Sequence, residues 1–475
     1  MEWKMLLCET RQSRTGVKRS ESDARNEFQK DYHRIVGSAS FRRLQDKTQV
    51  FPLDKSDFIR TRLTHSMEVS SFAKSLGQSV CQYIMSNGLD RDVDAETKEK
   101  ICSILECAGL IHDIGNPPFG HFGEEAIRSW FRTHLRELSL GEVGADKLLN
   151  EQMQKDLYQF EGNAQALRLL TKLHYLVDEN GMHLTYGLLN TLVKYPVSSC
   201  GTDKASGNVK DKKIGYYYAE QKLYETISAA TGTVGCRHPL TWLLEAADDI
   251  AYTTADIEDS VKKGHITYRR LLQELRSEKY KKNCADAMEL EKYNEVVGWL
   301  EEKYDKAKKR ETVNPEMNAV QNWIISVQGF LIKRASYVFT RNYAEIMAGT
   351  FKQELLKASF GNVLVKALGD IAYRYVFRSR EILKLEVAAG TILDFLLDRF
   401  VRAAVTFETG KPMTPMADRL MSLISDNYKQ TYRKSAEGKG EGEKLYLRLL
   451  LVTDFVCGMT DSYAKNLYQE LSGII

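Results

Sequence analysis

Residues 112–127 read HDIGNPPFGHFGEEAI, with two imidazoles and several carboxylates set around a turn rich in glycine and proline. His112 and Asp113 close the apolar run ICSILECAGLI, and His121 follows the turn with Glu124 three residues on. Metal-assisted chemistry is one reading of this pattern. A capped helix–turn–helix with incidental histidines is the other. Two further residues favour the first: His65 in RTRLTHSMEV and an aspartate in EAADDIAYTTAD. Two imidazoles and two carboxylates suit a divalent ion of mixed nitrogen and oxygen preference, such as Mn²⁺, Fe²⁺, Co²⁺, Ni²⁺ or Zn²⁺. Such a set leaves coordination positions open, as a catalytic site requires. The ion then lowers the pKa of bound water or polarises a phosphoryl oxygen. Asp248, Tyr252 and Asp256 recur at helical spacing and share one face, whereas Asp249 points about 100° away from Asp248. His121 and Glu124 are neighbours on a helix, so the carboxylate can fix the imidazole's tautomer. His121 can then protonate a leaving oxygen or assist an attacking water. The GNPPFG elbow aims it back at Asp113.

These side chains need helices to hold them. Eight prolines in 475 residues leave long stretches free to be helical. Apolar residues recur at helical spacing in LTHSMEVSSFAKSLGQSVCQYIM, KEKICSILECAGLIHDI, NAQALRLLTKLHYL, PLTWLLEAADDIAYTTADIEDSVKK, AVQNWIISVQGFLIKRASYVF and EKLYLRLLLVTDFVCGMTDSYAKNLYQEL. The strand-like runs are few and short, HLTYGLL and IGYYYAE being the best. The class is mainly α, with a few short strands. Residues 195–215 and 433–444 read as polar loops. A soft boundary lies near 310, and His238 before Pro239 marks a helix start. The other histidines, His33, His134, His174, His183 and His265, lack partners at ligand spacing.

Composition narrows the class. Hydrophobic residues make up 43% and charged residues 28%, as in a globular protein able to bury a large core without staples. No apolar run reaches the ~18–20 residues that span a bilayer, and the amino-terminal stretch has no signal-like apolar region, so the expectation is a cytoplasmic protein without a membrane partner. The eight cysteines form no C-x-x-C and read as reduced and structural. A net charge of +3 is too balanced to argue for nucleic acid. The basic stretches 18–47 and 262–283 read as solvated helix faces, with an anion site or polynucleotide groove as the sharper alternative.

The ordered set H…HD…D on successive helices resembles the HD-domain metal-dependent phosphohydrolases. Together SASFRRLQDKTQVFPL, RTRLTHSMEV, AGLIHDIGNPPFGHFGEEAI, FEGNAQALRLL and EAADDIAYTTADIED resemble the bacterial deoxyguanosine triphosphate triphosphohydrolases and, more distantly, the vertebrate SAM- and HD-domain dNTPase. A weaker match continues through VFRSREILKLEVAAG and LLLVTDFVCGMTDSYA. The resemblance implies an amino-terminal segment 1–60 completing the site, an HD helical core over 61–260, and a carboxy-terminal helical region over 261–475. It implies His65, His112, Asp113 and Asp248 as ligands of Mn²⁺ or Mg²⁺, His121 as the catalytic imidazole and Glu124 as its orienting carboxylate. Tyr252 would lie against the deoxyribose, Asp256 on the 3′-hydroxyl, and Gln49 and Val50 along sugar and base. Arg62, Lys194, Tyr195 and Lys213 fall at or near the triphosphate contacts, Asn163 at the site, and Phe377 and Glu386 at the base. The implied reaction takes dGTP to deoxyguanosine and triphosphate. The implied assembly is a homo-oligomer, a hexamer first, with single-stranded DNA or a dNTP as an effector. A 5′-nucleotidase or phosphodiesterase, or a nucleotide-binding regulator with an inert site, are the alternatives.

Overall fold

The computed structural model describes residues 1–12, 23–51, 53, 59–175 and 178–474. The chain is mainly helical, and the principal helices are numbered here in chain order. They are α1 (Glu27–Val36), α2 (Arg62–Asn87), α3 (Ala95–Ile111), α4 (His121–His134), α5 (Gly162–Arg168), α6 (Tyr186–Leu192), α7 (Pro239–Lys262), α8 (Ala287–Lys309), α9 (Pro315–Arg341), α10 (Asn362–Ala372), α11 (Arg380–Ala404), α12 (Glu441–Cys457) and α13 (Asp461–Leu471). Among the described residues the sheet is one antiparallel pair, Ser139–Leu140 with Val143–Gly144. The two runs expected as strands take other forms. In HLTYGLL, Thr185 leads into α6, whose residues are buried all round. IGYYYAE is irregular as far as Tyr217 and ends in a 3₁₀ turn, Tyr218–Glu220; Tyr216 stacks on Tyr224 and Tyr217 is fully buried, so these two rings fill a core and do not line a sheet.

Local signals set the helix ends. Thr61 caps α2 with a capping box to Thr64, and Gly88 ends it in the left-handed region at φ 61°. His238 accepts from Leu240 N ahead of Pro239, as its place before proline suggests. Helices α2 and α3 pack side by side, and α7 and α9 lie across α2. This group forms one apolar core with Trp3, Leu6 and α10. A second core joins α4, α11 and α12. Ile114 belongs to the first core and Phe119 to the second, so the GNPPFG elbow sits where they meet. The break near 310 is the turn between α8 and α9, which pack against each other. The 195–215 segment is a loop carrying short 3₁₀ turns. In 433–444 the loop is shorter than expected, because a helix runs on to Ala436 and α12 begins at Glu441. All eight cysteines are free thiols. The basic stretch 18–47 includes residues 18–22, which lie outside those described.

Candidate active site

His65 stands one turn into α2, His112 caps the end of α3, Asp113 follows it, and Asp248 projects from the middle of α7. Ligand atoms of His65, His112 and Asp113 lie within 4.8 Å of one another. Asp248 Oδ1 joins them, 3.3 Å from His65 Nε2 and 3.4 Å from His112 Nε2. His112 Nδ1 lies 2.8 Å from the Gly109 carbonyl, which can only accept, so this nitrogen carries the proton and Nε2 presents a lone pair. That Nε2 is buried and makes no hydrogen bond to a described residue. An unpaired imidazole nitrogen beside two carboxylates fits a divalent cation. Burial disfavours the charged form of His112, but Asp113 and Asp248 outweigh it and raise its pKa. Burial would likewise raise Asp113 and Asp248, yet Arg62 and His112 hold the first low, and Lys194 and His112 the second.

The elbow is built from close contacts. Asn116 Nδ2 donates to Asp113 Oδ1 at 2.7 Å. Gly115 lies against the backbone of Gly162 and Ala166, where a Cβ would come within 2.2 Å. Phe119 adopts φ 63°, a conformation costing a bulky residue about 1–2 kcal/mol, and Gly120 follows at φ 58°. The Gly120 Cα faces the Arg62 guanidinium, which also grips Asp113 Oδ2. His121 then opens α4 with its side chain 81% exposed, and its Nδ1 lies 3.0 Å from the buried Glu124 Oε2. Glu124 also accepts from Gly162 N at 2.8 Å. Burial opposes its charge, but the His121 contact and nearby Lys213 and Arg128 hold its pKa down at about 2.

Glu161, which the sequence reading did not single out, completes this wall. It accepts from Lys213 at 2.8 Å, Arg128 at 2.9 Å and Asn163 at 3.0 Å. Its signal was the FEGNAQ run itself, in which only the asparagine was singled out. Lys194 reaches Asp248 Oδ2 at 2.8 Å, and Tyr195 is buried beside Glu245 and Lys194. Arg62, Lys194 and Lys213 thus each pair with a carboxylate of the site. Tyr252 is 38% exposed on the face of α7 that bears Asp248. Asp256, further along it, is buried with no hydrogen bond to a described residue. Gln49 Oε1 is buried and has no partner among the described residues. Val50 and Phe377 meet Phe51, Val376, Ile382 and Phe122 in a small apolar cluster. Glu386 lies apart, in a cleft of about 380 Å³ between α4 and α11 that Phe122 also lines.

Burial and Asp259 push Asp256 up to about 8 against the pull of Arg60, from an ordinary 3.8. The folded chain therefore holds this proton more tightly than the unfolded one. The stability it contributes is complete below pH 3.8 and is lost as pH rises through about 8. Denaturant titrations of Asp256→Asn and the parent should diverge in that window, the variant losing less. Parallel curves would contradict a protonated Asp256.

A helical core with paired histidines and aspartates on successive helices defines an HD domain, and the HD-domain family model matches residues 62–175. The chain is 49% identical, over the full length of both, to a deoxyguanosinetriphosphate triphosphohydrolase-like protein of Listeria monocytogenes. It is 32% identical over the full length of both to a protein of the same description from Synechocystis. Over 95% of this chain and 94% of the relative, it is 33% identical to the deoxyguanosinetriphosphate triphosphohydrolase of Serratia proteamaculans. The chain belongs to this family of HD-domain phosphohydrolases, which depend on a metal ion. Among the described residues no helix is long and apolar enough to cross a membrane.

Proposed function

We propose that the protein is a deoxynucleoside triphosphate triphosphohydrolase that prefers dGTP and releases deoxyguanosine and inorganic triphosphate. The observation that carries this reading is the His65–His112–Asp113 cluster, with Asp248 against both histidines and Arg62 and Lys194 on the two carboxylates. A substrate with about four negative charges needs such cations beside the metal. The relatives' names supply the base preference.

His65, His112, Asp113 and Asp248 would hold Mn²⁺ or Mg²⁺, which supplies Lewis-acid activation of the α-phosphoryl group. Arg62, Lys194 and Lys213 exchange their carboxylate partners for phosphate oxygens, with Tyr195 and Asn163 beside them. Tyr252 lies against the deoxyribose, where a 2′-hydroxyl would clash, and Asp256 meets the 3′-hydroxyl. Gln49, Val50 and Phe377 line sugar and base. The water oxygen bonds to the α-phosphorus and the bond to O5′ breaks; His121 passes a proton to O5′ while Glu124 holds its ring, and the proton released by the water goes to solvent, from which His121 is reprotonated. Residues 1–60 complete the site, 61–260 form the catalytic core, and 261–475 supply base and oligomer contacts. A cytoplasmic homo-oligomer, a hexamer first, and a single-stranded DNA or dNTP effector belong to the same reading and rest on the resemblance alone.

The test is a product analysis with each dNTP and GTP, in Mn²⁺ or Mg²⁺, resolved by ion exchange, with His112→Ala as control. Deoxyguanosine and triphosphate, lost in the variant, are expected. Orthophosphate or a nucleoside monophosphate would instead place the protein among the 5′-nucleotidases or phosphodiesterases. Glu386 is assigned to the guanine N1–H and N2–H₂ edge. Glu386→Gln should therefore slow dGTP turnover by about tenfold, one lost charge-assisted contact, and dATP turnover by less. Equal losses would remove Glu386 from base selection.

A further inference from the structure

The run LLLVTDFVCGMTDSYA, residues 449–464, has no part in the mechanism above, yet it closes around the catalytic elbow. Asp461 Oδ1 accepts from Phe119 N at 2.9 Å, the amide of the residue at φ 63°. Its Oδ2 accepts from Thr48 N at 3.0 Å and from the Thr48 hydroxyl. Lys47, fully buried, donates to Asn116 O at 2.7 Å and to Cys457 O at 2.6 Å. Its ammonium thereby ties the elbow to the carboxyl end of α12, where a helix favours a cation. Lys47 O accepts from Arg62 N, and Thr48 bridges to Thr61, the cap of α2. Three parts of the chain therefore meet at one point: the start of the His65 helix, the turn before His121, and the α12–α13 junction.

We infer that Asp461 and Lys47 are positioning residues that hold the Phe119–Gly120 turn in the shape that delivers His121 to the reacting phosphoryl group. Helix capping does not account for Asp461. Thr460 is the cap of α13, and both Asp461 oxygens are spent on the elbow and on Thr48. A left-handed phenylalanine persists only where its surroundings over-determine it, and the bond to its amide supplies that restraint. The inference rests on His121 acting as proton donor.

Asp461→Asn places amide hydrogens against groups that are themselves donors, so at least one of these bonds is lost. A shift of about 1 Å at a catalytic group costs on the order of a hundredfold. With dGTP and Mn²⁺, Asp461→Asn should lower kcat about 10- to 100-fold with KM within about twofold. In a His121→Ala background the same change should cost less than about twofold, since the group being positioned is gone. Amide hydrogen exchange, which needs no turnover, should show Phe119 N–H losing protection in Asp461→Ala, which removes both acceptor oxygens. Lys47→Met should reproduce the kcat effect from the other side of the elbow, and stands in if Asp461→Asn does not fold. Equal losses with and without His121 would overturn the inference, as would unchanged protection at Phe119. If His121→Ala alone keeps full turnover, the proton-donor reading falls, and this inference falls with it. Unchanged exchange at Phe119 overturns the positioning role by itself.

Discussion

Replacing Asp248 by Asn should abolish tight binding of Mn²⁺ and lower turnover by at least about a thousandfold. The size follows from what the carboxylate does. A bound metal contributes several kcal/mol to stabilising developing charge, and about 4 kcal/mol corresponds to three powers of ten in rate. Asp248 lies 3.3 Å from His65 and 3.4 Å from His112, so it is the α7 carboxylate that meets both imidazoles. It is also the partner of Lys194 at 2.8 Å, and the neutral amide leaves that buried ammonium without its counter-charge. Asp249 supplies the control. Burial, with Glu245 and Asp248 nearby, pushes its carboxyl well above the usual range, so it is poorly suited to bind a cation. Asp249→Asn should keep metal affinity within about threefold by calorimetry. If the two substitutions were equivalent, the assignment of Asp248 as the ligand would be lost.

The second large effect is on stability and lies away from the metal. Arg168, at the end of α5, is fully buried. Its Nε donates to Asp454 Oδ1 at 2.8 Å, its Nη2 to Oδ2 at 2.7 Å, and its Nη1 to Glu220 at 2.8 Å. Gln165 adds a bond to Asp454, also at 2.8 Å. Among the described residues Arg168 is the one cation that meets both acids, so Arg168→Met leaves Asp454, buried as it is, without an ion-pair partner there. Breaking a buried pair in this way costs about 3–5 kcal/mol. Denaturant unfolding should show a loss of that size, and adding Asp454→Leu should recover part of it. A loss below about 1 kcal/mol would show that water reaches these groups.

Much of the site was legible because its geometry is helical. His65, His112 with Asp113, and Asp248 each sit where a strong 3.6-residue pattern places them, and the phase that separated Asp248 from Asp249 holds in α7. His121 and Glu124 met as the spacing of the first turn of α4 requires. What the sequence did not reveal depends on contacts distant along the chain. Lys47 and Cys457, or Arg168 and Asp454, meet only after the two cores close. Glu161 pairs with Lys213 across the 195–215 loop, whose path has no periodicity to read. The strand-like runs misled for a related reason. Three successive tyrosines in GYYY carry no alternation for a half-exposed sheet face, and Tyr216 and Tyr217 were buried by neighbours the local sequence does not contain.

The meeting of α2 and α3 turns on a single missing carbon. Added to Gly109, a Cβ would stand 2.4 Å from the Ser70 Cα and 2.5 Å from its nitrogen. Gly109 is also the residue whose carbonyl holds His112, and Ser70 stands little more than a turn beyond His65 on α2. The separation between the two imidazoles is therefore gauged by backbone lying on backbone. The spacing of the two imidazoles is thus set where two helices touch, and owes nothing to the loops around the site.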